Sequence, residues 1–357
     1  MDARATLRQA AESGDPLTRC HAIEALSEVI GAKGGSLYFE ALSDASPAVR
    51  FAAAMAIAKT RYAPAKPKLL RMAKDPEEEP DKRVLCAVLY ALHRLGDDTY
   101  TGALGQLLFD RDDADARANA AMVMGRMQDL TAREPLKTLL ADEQDESVRL
   151  QARAALARLG DTESKVRLRA YVKGFFLDLR LAAIPELVAV NPPGAKDDLR
   201  ALVRQAKAPR LRVVAAGGLA QLGEVSEAGY ALARRAMKRP RDVLSEVYGG
   251  QEISDVQSRS LRVLAAMALG HMGRLDALGL LHERLDAPAG AIRVAAAMAI
   301  LRLADPDPTV ADAHEPDDGA GDKPDGEASA EDASDELRSP RTPRRRRPRI
   351  HTAGAKD

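Results

Sequence analysis

Nine times along the chain an arginine is followed at offset three by a small residue and at offset seven by a large apolar one. The arginines are Arg19, Arg50, Arg83, Arg117, Arg149, Arg180, Arg212, Arg262 and Arg293, spaced by 31, 33, 34, 32, 31, 32, 50 and 31 residues. Offset three holds Cys86 in one copy and alanine in the other eight, from Ala22 to Ala296, while offset seven runs from Leu26 to Ile300. Offsets of zero, three, four and seven share one face of a helix, so each copy predicts an amphipathic helix. Its small position admits a close neighbour and its large one fills the remaining gap. Second apolar-periodic segments, such as 65–75 and 132–142, lie between the copies. Helix pairs joined by short turns at a period near 32 must run antiparallel and stack side by side. Turn chemistry agrees: Asp44 with Pro47, Asp81, Asp113, Asp145 and Asp178 precede the anchored helices, and Gly160, Gly223 and Gly273 stop them.

With 5 Phe, 7 Tyr and no Trp in 357 residues, a single large core is poorly supplied with aromatic bulk. A stack in which each repeat packs only on its neighbours does not need it. No run of about 20 apolar residues is present, and the first residues, MDARATLRQAAES, carry charge where a signal peptide would be apolar. The expected protein is soluble, without a membrane role, and cytoplasmic. Cys20 and Cys86 lie two repeats apart, a placement that predicts two packed thiols and neither a disulfide nor a metal site.

The run of an acidic residue, a proline or polar residue, Val-Arg and an alanine-rich helix, as in DASPAVRFAAAMAI (44–57) and DESVRLQARAALARLG (145–160), resembles the HEAT repeat family. The likeness is to its short bacterial form, related to the repeats of phycobilin lyases, and it covers residues 1–304. It implies an all-α, right-handed solenoid of about nine helix pairs serving as a non-catalytic scaffold. It also implies that Asp and Arg form a ladder between successive repeats, which makes Arg50, Arg117, Arg149, Arg212, Arg262 and Arg293 structural, with phosphate binding by the anchored arginines as the alternative.

Two stretches depart from the pattern. The spacing of 50 after Arg212 carries an insertion near residues 239–257, read as a long loop in the eighth repeat with Tyr248 as an exposed contact at its tip. Pro185 inside one anchored helix and Gly217-Gly218 in the next predict that repeats six and seven yield most easily.

Offsets five and nine lie on the opposite side of each anchored helix and are expected to line a concave face. Met55, Met122, Met267 and Met298 occupy the first position, and Lys59, Arg126, Arg158, His271 and Arg302 the second. Methionine adapts to varied partners and cations attract acidic ones, so this face predicts capture of a protein or peptide segment.

After Ala304 the composition changes. Residues 305–336 hold 13 acidic side chains and one lysine, a disordered acidic linker by composition. Residues 337–357 hold 8 basic side chains and one acidic, with Arg344, Arg345, Arg346, Arg347 and Arg349 at their centre. The formal net charge of zero thus divides into +5 on residues 1–304 and −5 beyond. The basic end supports an alternative function through nucleic acid or another anionic partner. With 39 Arg against 14 Lys, the composition points to a GC-rich bacterial source.

Catalytic readings find little material. The six histidines share no metal-ligand spacing, and only His282-Glu283 among residues 1–304 matches the His-Glu pairs of HEAT-like di-iron hydroxylases. No phosphate-cradling glycine loop is present, and no nucleophile stands with a base. No cofactor is predicted. The repeat type leaves a lyase-like accessory role as a third reading without residue-specific support.

Overall fold

In the computed structural model, residues 2–249 and 251–304 are described, and among them every regular element is helical. The first helix pairs are α1 (Ala3–Ala11) with α2 (Pro16–Val29), α3 (Gly35–Ala41) with α4 (Pro47–Thr60), and α5 (Lys66–Lys74) with α6 (Lys82–Arg94). Next come α7 (Ala103–Leu108) with α8 (Ala114–Met127), α9 (Arg133–Asp142) with α10 (Glu146–Arg158), and α11 (Thr162–Tyr171) with α12 (Leu177–Val190). The remainder are α13 (Ala195–Gln205) with α14 (Pro209–Gln221), α15 (Glu227–Lys238), α16 (Pro240–Tyr248) and α17 (Asp255–His271), and α18 (Leu278–His282) with α19 (Gly290–Ala304). The arginine-anchored helices are the second of each pair, and they form the inner layer.

The expected local chemistry is visible. Asp81, Asp113 and Asp145 cap α6, α8 and α10 through backbone N–H groups of the first turn. Ser46 is the cap residue of α4, with Pro47 in the first turn, while Asp44 accepts from the Ser46 N–H at 2.8 Å. Phe176 precedes α12, and Asp178 lies in its first turn. Gly160 ends α10 at a φ of 91°, a conformation that glycine adopts without a Cβ penalty.

Packing explains the repeated small residues. All nine offset-three side chains, Ala22 to Ala296 with Cys86 among them, are fully buried. Inner helices also meet each other backbone to backbone. A Cβ at Gly125 would lie 2.5 Å from Ala155 Cα, and one at Gly270 would lie 2.9 Å from Ala299 Cα. Gly217 and Gly218 belong to the same system: a Cβ on Gly217 would stand 3.1 Å from Ala268 Cα and one on Gly218 2.9 Å from Val188. The glycine pair therefore serves close helix contact. Helix α12 continues through Pro185 from Leu177 to Val190.

The stack is a solenoid whose last repeat returns to its first. Each inner helix packs on the next from α2 to α19, and α19 then packs on both α1 and α2. Gly290 at the start of α19 lies against Thr18, and Arg302 near its end is ion-paired with Glu28. One apolar cluster runs through the junction, from Ala3 and Leu7 on one side to Leu303 on the other. The nine inner helices form a closed circuit.

The insertion is mostly helix. Pro240 opens α16, Val243 and Leu244 are buried, and a capping box between Ser254 and Gln257 starts α17. Tyr248 is half-buried and packs on the core, so it is not the exposed tip expected; Gly249, at a φ of 60°, ends the helix. No helix among the described residues is long and apolar enough to cross a membrane.

Candidate functional site

The anchored arginines divide by what they meet. Arg19 forms a two-point ion pair with Asp44 (2.8 and 2.7 Å), Arg50 with Glu79 (2.7 and 2.9 Å) and Arg117 with Glu143 (2.7 and 3.1 Å). Each carboxylate precedes the inner helix of the following repeat, so these pairs join neighbours. Arg19, Arg50 and Arg117 also donate to carbonyls of the turn before their own helix. The ladder does not continue around the circuit. Arg149 reaches only Glu146, one turn before it, at 3.5 Å. Arg212 donates to the Val203 carbonyl, Arg262 to that of Met237, and Arg293 to those of Ala287 and Pro288. These last three meet carbonyls and no cross-repeat carboxylate.

Offsets five and nine do not behave as one uniform face. Met267 is 37% exposed, Met55 and Met122 are half-buried, and Met298, at 7%, belongs to the core. The offset-nine groups converge. Lys59 on α4 senses Arg126 on α8, and Arg126 senses Glu186 on α12, each across an intervening helix. The inner faces of helices two places apart in the circuit therefore look toward one another.

Two of the four cations expected to be free are already paired. Arg158 meets Glu186 at 2.6 Å with both side chains largely buried. Arg302 holds Glu28 and donates to His271 Nε2 at 3.0 Å. Burial pushes His271 down to about 4, so the ring is neutral near pH 7 and its Nε2 is free to accept. Burial also brings Arg302 down to about 10, which still leaves the guanidinium charged. The reading from spacing missed Glu186, although it is the one acidic residue in the run LRLAAIPELVAV.

Lys59 and Arg126 remain. Among the described residues neither has a carboxylate within ion-pair distance. Burial, then the Arg126 charge, pulls Lys59 to about 8, although water still reaches its ammonium. Burial first and Arg158 second hold Arg126 below its ordinary value, with Glu186 acting the other way. One helical turn before each cation stands a half-buried methionine, Met55 before Lys59 and Met122 before Arg126. Between them α6 contributes Val88 and Leu92, both buried and neither charged. The result is an apolar patch bearing two unpaired cations on the inner side of repeats two to four.

Cys20 and Cys86 are free and buried, and burial pushes both thiols to about 12. No three His, Cys, Asp or Glu side chains among the described residues come together as a metal set. Arg344, Arg345, Arg346, Arg347 and Arg349, the candidate anionic-partner arm, lie outside the described residues.

The family profile for HEAT repeats matches residues 36–107, 77–157 and 101–174. No curated protein matches the chain. Among solved structures, the complex of CpcE and CpcF of phycocyanin lyase from a Nostoc species shares 19% identity at a TM-score of 0.42, covering 69% of this chain and 95% of that one. Human deoxyhypusine hydroxylase in complex with glycerol shares 16% at a TM-score of 0.35, covering 85% of this chain and 96% of its own. Kap121p shares 16% at a TM-score of 0.31, covering 85% and 37% respectively.

Proposed function

We propose, from the premise that residues 36–174 carry HEAT repeats and that the same helix pair recurs to Ala304, that this chain is a non-catalytic binding scaffold. Its occupant is an acidic segment of a partner protein, held on the inner side of repeats two to four. One observation carries the reading: Lys59 lies in the field of Arg126, each stands one helical turn from a half-buried methionine, and neither has a carboxylate within ion-pair distance among the described residues. A half-buried cation such as Arg126 is costly unless paired. A segment bringing carboxylates between aliphatic residues would supply that pairing and cover the methionines, whose flexible thioethers adapt to varied side chains.

Selection of displayed peptides on the intact protein tests this directly. Enriched peptides should carry Asp or Glu spaced by aliphatic residues, and their affinity should fall about tenfold or more in the Lys59→Ala/Arg126→Ala double variant, the loss of one or two charge-assisted contacts. Met122→Glu should weaken them as well. Enriched peptides that bind equally well to all three proteins would remove the inner patch from consideration.

A further inference from the structure

We propose that the depression bounded by α16, α17 and the turn preceding α19 binds a small phosphate-bearing molecule. The depression has a volume of about 900 Å³ and is widely open to solvent, a size suited to small-molecule ligands. The insertion in the eighth repeat creates it. Arg239 and Arg241, at the start of α16, are brought opposite Arg259 and Arg262 on the first two turns of α17, with Arg284 closing the group from the turn after α18.

Four carboxylates share the rim, but they do not satisfy these arginines. Asp255 takes Arg241 at 2.7 Å on the exposed side, and Glu283 comes no closer than 3.7 Å to Arg284. Asp242 and Asp286 form no ion pair among the described residues, and Arg239, Arg259 and Arg262 have no carboxylate within 4 Å. Arg262 gives its Nε to the Met237 carbonyl at 3.3 Å, and no partner meets its two terminal nitrogens. Two further polar atoms on the lining are buried and lack any hydrogen-bond partner: the Ser258 hydroxyl, on a residue only 5% exposed, and Arg284 Nε. Buried polar groups in folded proteins are nearly always satisfied. Here a half-buried guanidinium, a second one and a buried hydroxyl all await acceptors at one place.

Three other repeats provide the contrast, while Arg212 and Arg293, like Arg262, meet only carbonyls. At the same register Arg19, Arg50 and Arg117 are each held above their ordinary value, first by a hydrogen bond to a carboxylate. Arg262 is held below it, first by burial and then by the charges of Arg284 and Arg241. A ligand with several anionic oxygens would reverse that environment. Phosphate suits it best, because guanidinium forks match its geometry and its oxygens can also accept from Ser258.

Calorimetric titration of the full chain with inorganic phosphate, pyrophosphate and tripolyphosphate, each against sulfate, tests the proposal. Affinity should rise with phosphate number and exceed that for sulfate. Because the arginines beyond residue 337 also attract polyphosphate, the deciding comparison is with Arg239→Ala/Arg259→Ala, two exposed side chains without structural partners. That variant should melt as the parent does, bind pyrophosphate about tenfold or more weakly, and lose the rise in melting temperature that pyrophosphate gives the parent. Ser258→Ala should weaken pyrophosphate by a smaller factor with stability intact. Undiminished binding and thermal shift in the double arginine variant would overturn the site. So would a short single-stranded oligonucleotide that uses the same arginines and binds much more tightly than tripolyphosphate, since the surface would then read nucleic acid.

Discussion

Arg117 in the fourth repeat and Arg262 in the eighth stand at one register of one repeated helix, yet their surroundings are opposite. Arg117 closes on Glu143, an ion pair whose side chains are 16% and 5% exposed. Arg262 faces two other arginines across an open depression. The difference lies in the following turn. After α8 and α9 the chain supplies Glu143 two residues before the Asp145 cap, and its carboxylate also accepts from the Asp145 N–H at 2.9 Å. After α18 the turn offers Asp286 and Pro288, and Arg262 meets neither. An arginine repeated at one register therefore has no single surrounding; its neighbour in the next repeat decides whether it is joined or left without a counter-charge.

The largest effect should come from breaking the joined member. Glu143→Ala leaves the Arg117 guanidinium enclosed without a counter-charge and should cost about 3 kcal/mol, read as a lowered denaturant midpoint. Replacing both partners with Arg117→Met/Glu143→Leu should recover most of that loss, because the pair's net contribution is far smaller than the cost of orphaning one member. Arg262→Ala should cost less than about 1 kcal/mol, since it removes one carbonyl bond and some like-charge crowding. A cost at Arg262 equal to that at Glu143 would erase the distinction.

Acid sharpens the same contrast. The Arg19 and Arg117 guanidinium groups hold Asp44 and Glu143 below their ordinary values of 3.8 and 4.5. The folded state therefore binds fewer protons than the unfolded one in this range. Their stabilisation is complete above pH of about 4.5 and is lost as pH falls through the depressed values. Hydrogen exchange at stepwise lower pH should show protection failing in α2 to α10 before α17 and α19. The smallest effect concerns the inner patch. With Lys59 near 8, its amine should acylate faster at pH 8 than an ordinary lysine near 10.5, and an acidic peptide bound there should slow it.

The helices, their caps and the fully buried small position were legible because each depends on residues within one or two turns. Closure of the circuit was not. It joins Arg302 to Glu28 across 274 positions, and it depends on small angles accumulated over nine repeats, which no local pattern encodes. The α16 helix was legible in part: PRDVLSEVY has proline in the first turn and apolar residues at 243, 244 and 247, but an insertion that breaks the repeat period points to a loop unless its own periodicity is weighed. On the inner face, spacing put Lys59 and Arg126 at one offset. It could not foresee that Glu186 and Glu28 would neutralise Arg158 and Arg302, because those partners come from other repeats.

A linear stack can come apart from either extremity, since a terminal repeat is held on one side only. In the closed arrangement every inner helix has a neighbour on both sides. No repeat is terminal until one joint has opened, and the joint at Arg302 and Glu28 is as much a joint as any other. Loss of structure must then begin with a rupture somewhere in the ring, after which the remainder can unzip in two directions at once.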